Sequence, residues 1–335
     1  MGFRKLSPDK VMEISGGYWK SCAIHAAIKL DLFTIIDQDR LTEKEVAEKL
    51  NADQRALGVL LNALTAMGFL SKPDDQYANT PMSASALSKK SPNYMGYMIM
   101  HHYHLMDSWH HLDQAVMTGK PQRVRDRAID EERRESFLMG MFNVAMTIAP
   151  EVTRKISLIH QKRLLDLGGG PGTWAIYFCL NHPGLKATVY DLPETRPFAK
   201  KTIKRFGLSD RIRFQEGNYL KDDLKGGYDV AWLSHILHSE GPEDCQMIIR
   251  KTISVLNPGG QIMIHEFILN RDLKGPLYPA LFSLNMLVGT KAGRSYSEEE
   301  IGNMLTQEGA TSVKRLKLPS LKNSGIIIGT IRNTS

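Results

Sequence analysis

The stretch Leu164-Leu165-Asp166-Leu167-Gly168-Gly169-Gly170-Pro171-Gly172 constrains this chain most, because a short apolar run delivers an acid and four glycines into the turn before Thr173-Trp174-Ala175-Ile176. An apolar run of that length reads as a buried strand, and the segment after the glycines reads as the start of a helix. Glycine stands where backbone must turn tightly or let a ligand approach without a Cβ in the way. A helix N-terminus adds N–H groups that have no partner within the helix. Strand, glycine loop and helix together form a cofactor turn of the nucleotide type. Roughly twenty residues further on, Lys186-Ala187-Thr188-Val189-Tyr190-Asp191 predicts a second strand ending in an acid, placed to hold ribose hydroxyls.

The surrounding pattern supports that frame. Strands are predicted near Arg163 to Leu167, Ala187 to Asp191, Ile212 to Gln215, Asp229 to Ser234, Gln261 to Phe267, Val313 to Leu318 and Gly325 to Ile331, with helices starting near Gly172, Glu194, Glu243 and Ser297. Such alternation predicts an α/β fold with a doubly wound parallel sheet and its ligand at the carboxyl ends of the strands. Only Pro319 to Ser324 separates the last two strands, so these should form an antiparallel hairpin. From Ser7 to about Leu158 the pattern is almost entirely helical, which puts a domain boundary near residue 160, between a helical domain 1–160 and a cofactor-binding domain 161–335. Within the first, Thr42 with Glu45 three later caps one helix, and Leu57, Leu60, Leu61 and Leu64 mark a second. Gly68-Phe69-Leu70, the turn Pro73-Asp74-Asp75 and Tyr77-Ala78-Asn79-Thr80 follow as a small β-wing, so the region reads as a winged helix.

Winged helices can read DNA, and the net charge of +7 with a pI near 9.1 raises the same question. The distribution answers against nucleic acid. The presumed recognition helix is mostly Leu, Ala and Val with Arg55 as its main basic handle, the wing carries Asp74 and Asp75, and Lys200, Lys201, Lys204 and Arg205 fit the solvated face of one helix. No run reaches the roughly eighteen apolar residues of a membrane span, and Met1 to Lys10 is polar rather than a signal peptide, so a cytoplasmic protein without membrane attachment is expected. Cys22, Cys179 and Cys245 are far apart and in no metal-like spacing, which reads as reduced thiols.

The glycines alone do not separate NAD from S-adenosyl-L-methionine (SAM), but Asp166 does bear on it. It stands where dinucleotide folds usually carry an apolar residue, and an acid suits a cationic sulfonium ligand better than a pyrophosphate. Asp166 to Gly172, Tyr190-Asp191-Leu192-Pro193, Glu216-Gly217-Asn218-Tyr219, His238 to Cys245, Asn257-Pro258-Gly259-Gly260 and Leu284-Asn285-Met286-Leu287 occur in this order along nearly the whole chain. The ordered set resembles the plant-type and bacterial small-molecule O-methyltransferases typified by caffeic acid and hydroxyindole O-methyltransferases. That resemblance implies a seven-stranded methyltransferase sheet and a homodimer paired through the winged-helix region. It implies SAM contacts at Asp166, Gly168, Gly170, Asp191, Leu192, Asn218, Tyr219 and Ser234, although the family more often has Asp at residue 218.

Methyl transfer from SAM is an in-line displacement, so the acceptor must be aligned and its proton removed. By resemblance His238 is the base and Glu266 the acid that orients it; an imidazole with its usual pKa near ~6.5 can act at neutral pH. His235, three residues earlier, is expected in the pocket wall or core. The family commonly carries acids where this chain has Ser239 and Ser295, which thins the acid shell around His238. Trp109, Phe142, Met146, Phe282, Asn285 and Met286 match positions that line the acceptor pocket, each open to being core instead; Asn285 is favoured because a buried amide must find a partner. The acceptor reads as a hydroxyl of an aromatic or polycyclic small molecule. Two alternatives stay open: methylation of carbon, nitrogen or sulfur with His238 only positioning, and a non-catalytic SAM- or DNA-binding regulator. His104, Asp107 and His111, at helical spacings, could present three metal ligands, but histidines along a cavity or dimer surface are commoner and no metal is expected.

Overall fold

A computed structural model describes residues 7–122, 127–316, 318–321 and 323–332. The chain falls into two compact units, one within Met1–Leu105 and Glu131–Asn143, the other within Met106–Asp130 and Val144–Ser335.

The first unit holds α1 (Pro8–Ser15), α2 (Tyr18–Lys29), α3 (Leu32–Ile36), α4 (Glu43–Leu50), α5 (Gln54–Ala66), the strands β1 (Leu70–Ser71) and β2 (Ala78–Asn79), and α6 (Pro81–Ala86). The Thr42 cap forms as the sequence predicts: Thr42 Oγ1 accepts from the Glu45 N–H at 3.3 Å while the Glu45 carboxylate accepts from the Thr42 N–H at 2.7 Å. The apolar stripes then meet, with Val46 and Ala47 of α4 and Leu57, Leu61 and Leu64 of α5 packing with Phe33, Ile36, Leu70 and Tyr77. β1 pairs antiparallel with β2, and Leu41 bridges Tyr77, which completes the wing. Among the described residues no helix is long and apolar enough to cross a membrane.

Two helices, α7 (Gly96–Trp109) and α9 (Arg127–Lys155), supply residues to both units, and α8 (Leu112–Thr118) belongs to the second. The helical pattern stops near residue 160, but the compact units are not cut there. Asn181 donates from its side chain to Thr153 Oγ1 at 2.7 Å and the Leu158 N–H donates to His182 Nε2 at 3.0 Å, so the tail of α9 is tied to the sheet unit. Periodicity reveals that a helix buries one face, not which core receives it.

The second unit continues with β3 (Arg163–Leu167), α10 (Thr173–Asn181), β4 (Lys186–Asp191), α11 (Arg196–Arg205), β5 (Ile212–Glu216), β6 (Tyr228–Ser234), α12 (Pro242–Ser254), β7 (Leu256–Glu266), β8 (Ile268–Leu269), α13 (Leu277–Gly289), β9 (Tyr296–Ser297), α14 (Glu298–Gln307), β10 (Ala310–Leu316) and β11 (Gly325–Ile331). The seven-stranded sheet runs β10-β11-β7-β6-β3-β4-β5. All neighbours are parallel except β11, which is antiparallel to both β7 and β10. The predicted hairpin is therefore present. β7 begins earlier than its apolar run suggests, and Phe267 lies just past its end. Helix α13 and the small parallel pair β8–β9 were not among the predicted elements. β4–β5 extend to one side of β3 and β6–β7 to the other, so the order reverses between β3 and β6, and the loops after those two strands flank the crevice that such a reversal opens.

Candidate active site

The glycine loop leaves β3 with Gly168 at φ 64°, where a Cβ would lie 2.5 Å from Ile236 Cγ2, and Gly170 at φ 55°, where a Cβ would meet nothing within 4 Å. Gly168 is thus required by packing, whereas Gly170 faces open space. The loop amides are spent inside the protein: the Gly168 N–H donates to the Tyr190 carbonyl and the Gly170 N–H to Asp191 Oδ2, both at 2.8 Å. Asp191, at the end of β4, also accepts from the Leu192 N–H at 2.7 Å and the Thr195 hydroxyl at 3.0 Å. Burial raises its pKa against those donors. Leu192 beside it stays exposed. In the loop after β5, Asn218 Oδ1 accepts from the Leu220 N–H at 2.9 Å, and Tyr219 packs on the sheet core with its hydroxyl pKa pushed up by burial.

Asp166 is fully buried. One carboxylate oxygen accepts from the Ala175 N–H at 3.1 Å, capping the first turn of α10, and the other has no hydrogen-bond partner among the described residues. Burial raises its pKa to about 7, opposed by the Ala175 N–H and assisted by Asp191. A raised native value means that the fold favours the protonated form, so this group's contribution is fully present below its ordinary pKa of 3.8 and is lost as pH climbs toward 7. Asp166→Asn, which keeps the cap and cannot ionise, should match wild-type stability near pH 3.5 and exceed it above pH 7 by on the order of a few kcal/mol. Denaturant titrations of the ligand-free protein at the two pH values check this; equal stability at high pH would overturn it.

At the end of β6 the backbone turns sharply. His235 adopts φ 56°, a left-handed conformation uncommon outside glycine, and its N–H donates to the His265 carbonyl at 2.9 Å. A short 3₁₀ turn, Leu237–Ser239, then carries His238 over the end of β7, where Glu266 is the last residue. Glu266 Oε1 accepts from the Leu237 N–H at 2.9 Å and the His238 N–H at 3.3 Å, and Oε2 accepts from His238 Nδ1–H at 2.8 Å. Burial would raise this carboxyl, but His238 and His235 beside it hold it well below the usual carboxylate range. Because an ionised carboxylate can only accept, Nδ1 of His238 carries a proton, and in the neutral ring Nε2 is then the nitrogen with a free lone pair. His235 Nδ1 lies 3.6 Å from the same Oε2, beyond hydrogen-bond distance.

Aromatic rings enclose the pair. His238 meets Phe282 of α13 edge-on at 4.8 Å and stacks toward Phe267 at 6.2 Å; His235 lies between Phe267 at 4.3 Å and His265 at 4.4 Å. Phe267 and His265 were not singled out from the sequence, although they flank Glu266 directly. Ser234 Oγ meets His265 Nδ1 at 3.0 Å, and His265 Nε2 meets Ser324 Oγ at 2.9 Å. Burial pushes the His265 pKa well below its ordinary value, so this ring is neutral, one nitrogen donating and the other accepting. Ser295 is buried with its hydroxyl unpartnered among the described residues.

Trp109 Nε1–H donates to Asn285 Oδ1 at 2.9 Å, which supplies the partner that an amide in an apolar helix needs. Met146 is half-buried in this unit and Met286 is buried on α13. Phe142 belongs to the other unit, where it is buried. The histidines of α7 do not form a metal-ligand group: among the described residues the set able to offer three converging donors is His235, His238 and Glu266.

Comparison with known proteins now identifies the frame. Residues 109–311 match the family model of the O-methyltransferase domain, and residues 12–89 match that of the O-methyltransferase dimerisation domain. The chain is 32% identical to 3-hydroxy-5-methyl-1-naphthoate 3-O-methyltransferase of Streptomyces sahachiroi over 96% of its own length and 95% of that protein's. An O-methyltransferase family protein from Burkholderia thailandensis superposes with a TM-score of 0.89 at 27% identity, covering 98% of this chain and 99% of that one. Human N-acetylserotonin methyltransferase, solved in complex with SAM, superposes with a TM-score of 0.87 at 26% identity over 99% of this chain and 100% of that one. The chain belongs to the O-methyltransferase family.

Proposed function

We propose that the protein moves the methyl group of SAM to a hydroxyl of an aromatic or polycyclic small molecule, with His238 as general base and Glu266 as its orienter. The observation that carries this reading is the 2.8 Å contact of His238 Nδ1 with buried Glu266, which makes Nε2 the basic nitrogen of the neutral ring that packs on Phe282. SAM fits the residues at the strand ends. The open space before Gly170 admits a ligand backbone-close, Asp191 and exposed Leu192 offer an acid and an apolar surface for ribose and adenine, and Asp166, with one oxygen unpartnered among the described residues, is a buried acid whose ionised form a cationic ligand would stabilise. SAM supplies an electrophilic methyl carbon when bound. His238 takes the acceptor proton on Nε2, and the Glu266 carboxylate stabilises the imidazolium as it forms. An aromatic acceptor is supported by the ring-lined wall of Phe267, Tyr278 and Phe282, and by the hydroxynaphthoate named for the Streptomyces relative. Incubation with methyl-labelled SAM and a panel of phenols and naphthols, followed by mass spectrometry, should yield a labelled methyl ether. Label on nitrogen, carbon or sulfur would overturn the hydroxyl assignment.

Two copies are proposed to pair through the first unit. Its match to a dimerisation domain is joined by Met12, Ile14, Tyr18 and Trp19 of α1 and α2, each more than half exposed despite being apolar. Sedimentation at micromolar concentration should give a dimer that Trp19→Glu with Ile14→Glu dissociates; a stable wild-type monomer would end the idea.

A further inference from the structure

We infer that His235, His238 and Glu266 form a binding site for a divalent transition-metal ion of the zinc class, and that filling it switches the enzyme off. The site stands on geometry alone; its inhibitory effect rests on the reading of His238 as the base.

One donor atom from each of the three residues lies within 4.8 Å of the other two, and Glu266 Oε2 is 2.8 Å from His238 Nδ1 and 3.6 Å from His235 Nδ1. A tetrahedral ion bound at ~2.1 Å holds its donors about 3.4 Å apart; the two distances to Glu266 bracket that spacing, and the two imidazoles, whose donor atoms lie within 4.8 Å of each other, draw together on the ion. The carboxylate and the His235 ring are also constrained before any ion arrives. Two backbone N–H groups fix the far oxygen of Glu266, and the left-handed backbone of His235 turns a ring already clasped by His265 and Phe267 toward the carboxylate. His235 Nδ1 is shielded from solvent yet has no hydrogen-bond partner among the described residues. Two imidazoles and one carboxylate suit zinc, cobalt or nickel, whereas magnesium and calcium prefer sets of oxygens.

The consequence for catalysis follows from the tautomer. If the metal takes His238 Nδ1, the proton of the neutral ring moves to Nε2, the atom that must be bare to accept the acceptor's proton. No proton is gained or lost by the ring; it changes nitrogen, and Glu266 exchanges a hydrogen bond for a metal bond. The acids and amides of the glycine loop are not involved, so SAM binding should be indifferent to the ion.

Full-length protein stripped with chelator should be titrated with zinc chloride by calorimetry and with cobalt(II) chloride by visible spectroscopy. Low-micromolar or tighter zinc binding with one site per chain is expected, together with the intense visible bands of four-coordinate cobalt. His235→Ala and His235→Asn should each weaken binding by about tenfold or more, since loss of even an outer partner costs that much at a metal site. Asparagine tolerates the left-handed backbone, so its variant separates lost ligation from lost folding. Zinc should abolish methyl transfer and leave the SAM dissociation constant unchanged. No binding at millimolar zinc, or equal binding by wild type and both variants, overturns the site. Zinc bound here with methyl transfer intact would overturn the inhibitory half together with the base role of His238.

Discussion

Replacing His238 with alanine should lower the rate of methyl transfer by about a hundredfold or more while SAM affinity stays nearly constant. The base touches the acceptor rather than the cofactor, so its loss falls on kcat. Activity should recover partly at high pH, because hydroxide then ionises the acceptor without help. Glu266→Gln should be nearly as damaging. The Leu237 and His238 N–H groups both need an acceptor, which fixes the amide oxygen on their side and turns the NH₂ toward His238 Nδ1. Nδ1 must then accept, the ring proton moves to Nε2, and the base is blocked in the wrong tautomer. Single-turnover rates across pH measure both variants. A His238→Ala enzyme with the wild-type rate at neutral pH would sink the mechanism and favour a site that only positions an already acidic acceptor.

Asp191→Ala should weaken SAM binding by roughly 1.5 to 3 kcal/mol, the worth of charge-assisted hydrogen bonds to ribose. The structure adds a second cost. Three protein donors, the Gly170 and Leu192 N–H groups and the Thr195 hydroxyl, converge on this carboxylate, so its removal also releases the glycine loop from the end of β4. Asp191→Asn keeps an acceptor for one side of that clamp and should lose less. Calorimetry with SAM and with NAD tests the pair: SAM should bind wild type and NAD should not. NAD binding, or Asp191→Ala binding SAM as well as wild type does, would overturn the cofactor assignment.

Much of the fold is legible in the sequence. β3 and β11 run over the residues predicted, and the acid ending β4 sits beside the glycine loop, because apolar runs bounded by glycine and acid leave little choice of register. The proximity of His238 to Glu266 was readable only through resemblance, since 28 residues separate them and the pairing of β6 with β7 brings them together. The sequence places His235 only in the pocket wall or core, since nothing in Ser234-His235-Ile236 announces a left-handed backbone. Helix α13 was not predicted because its residues are apolar on most faces, which hides helical period. The division of the helical half failed to show for a related reason: composition does not tell which of two cores a helix will join.

The position of β11 has a consequence for how the molecule is built. The last strand among the described residues is not at an edge; it is inserted between β10 and β7, with Ile326 and Ile327 almost wholly buried, and Ser324 just before it reaches His265, which packs against His235. During synthesis β7 and β10 therefore emerge with no partner between them, and the sheet stays open until β11 has been made. A premature stop before residue 325 would not trim a tail. It would leave two unpaired strand edges and an apolar slot in the middle of the domain, a product fit for degradation or aggregation rather than partial activity.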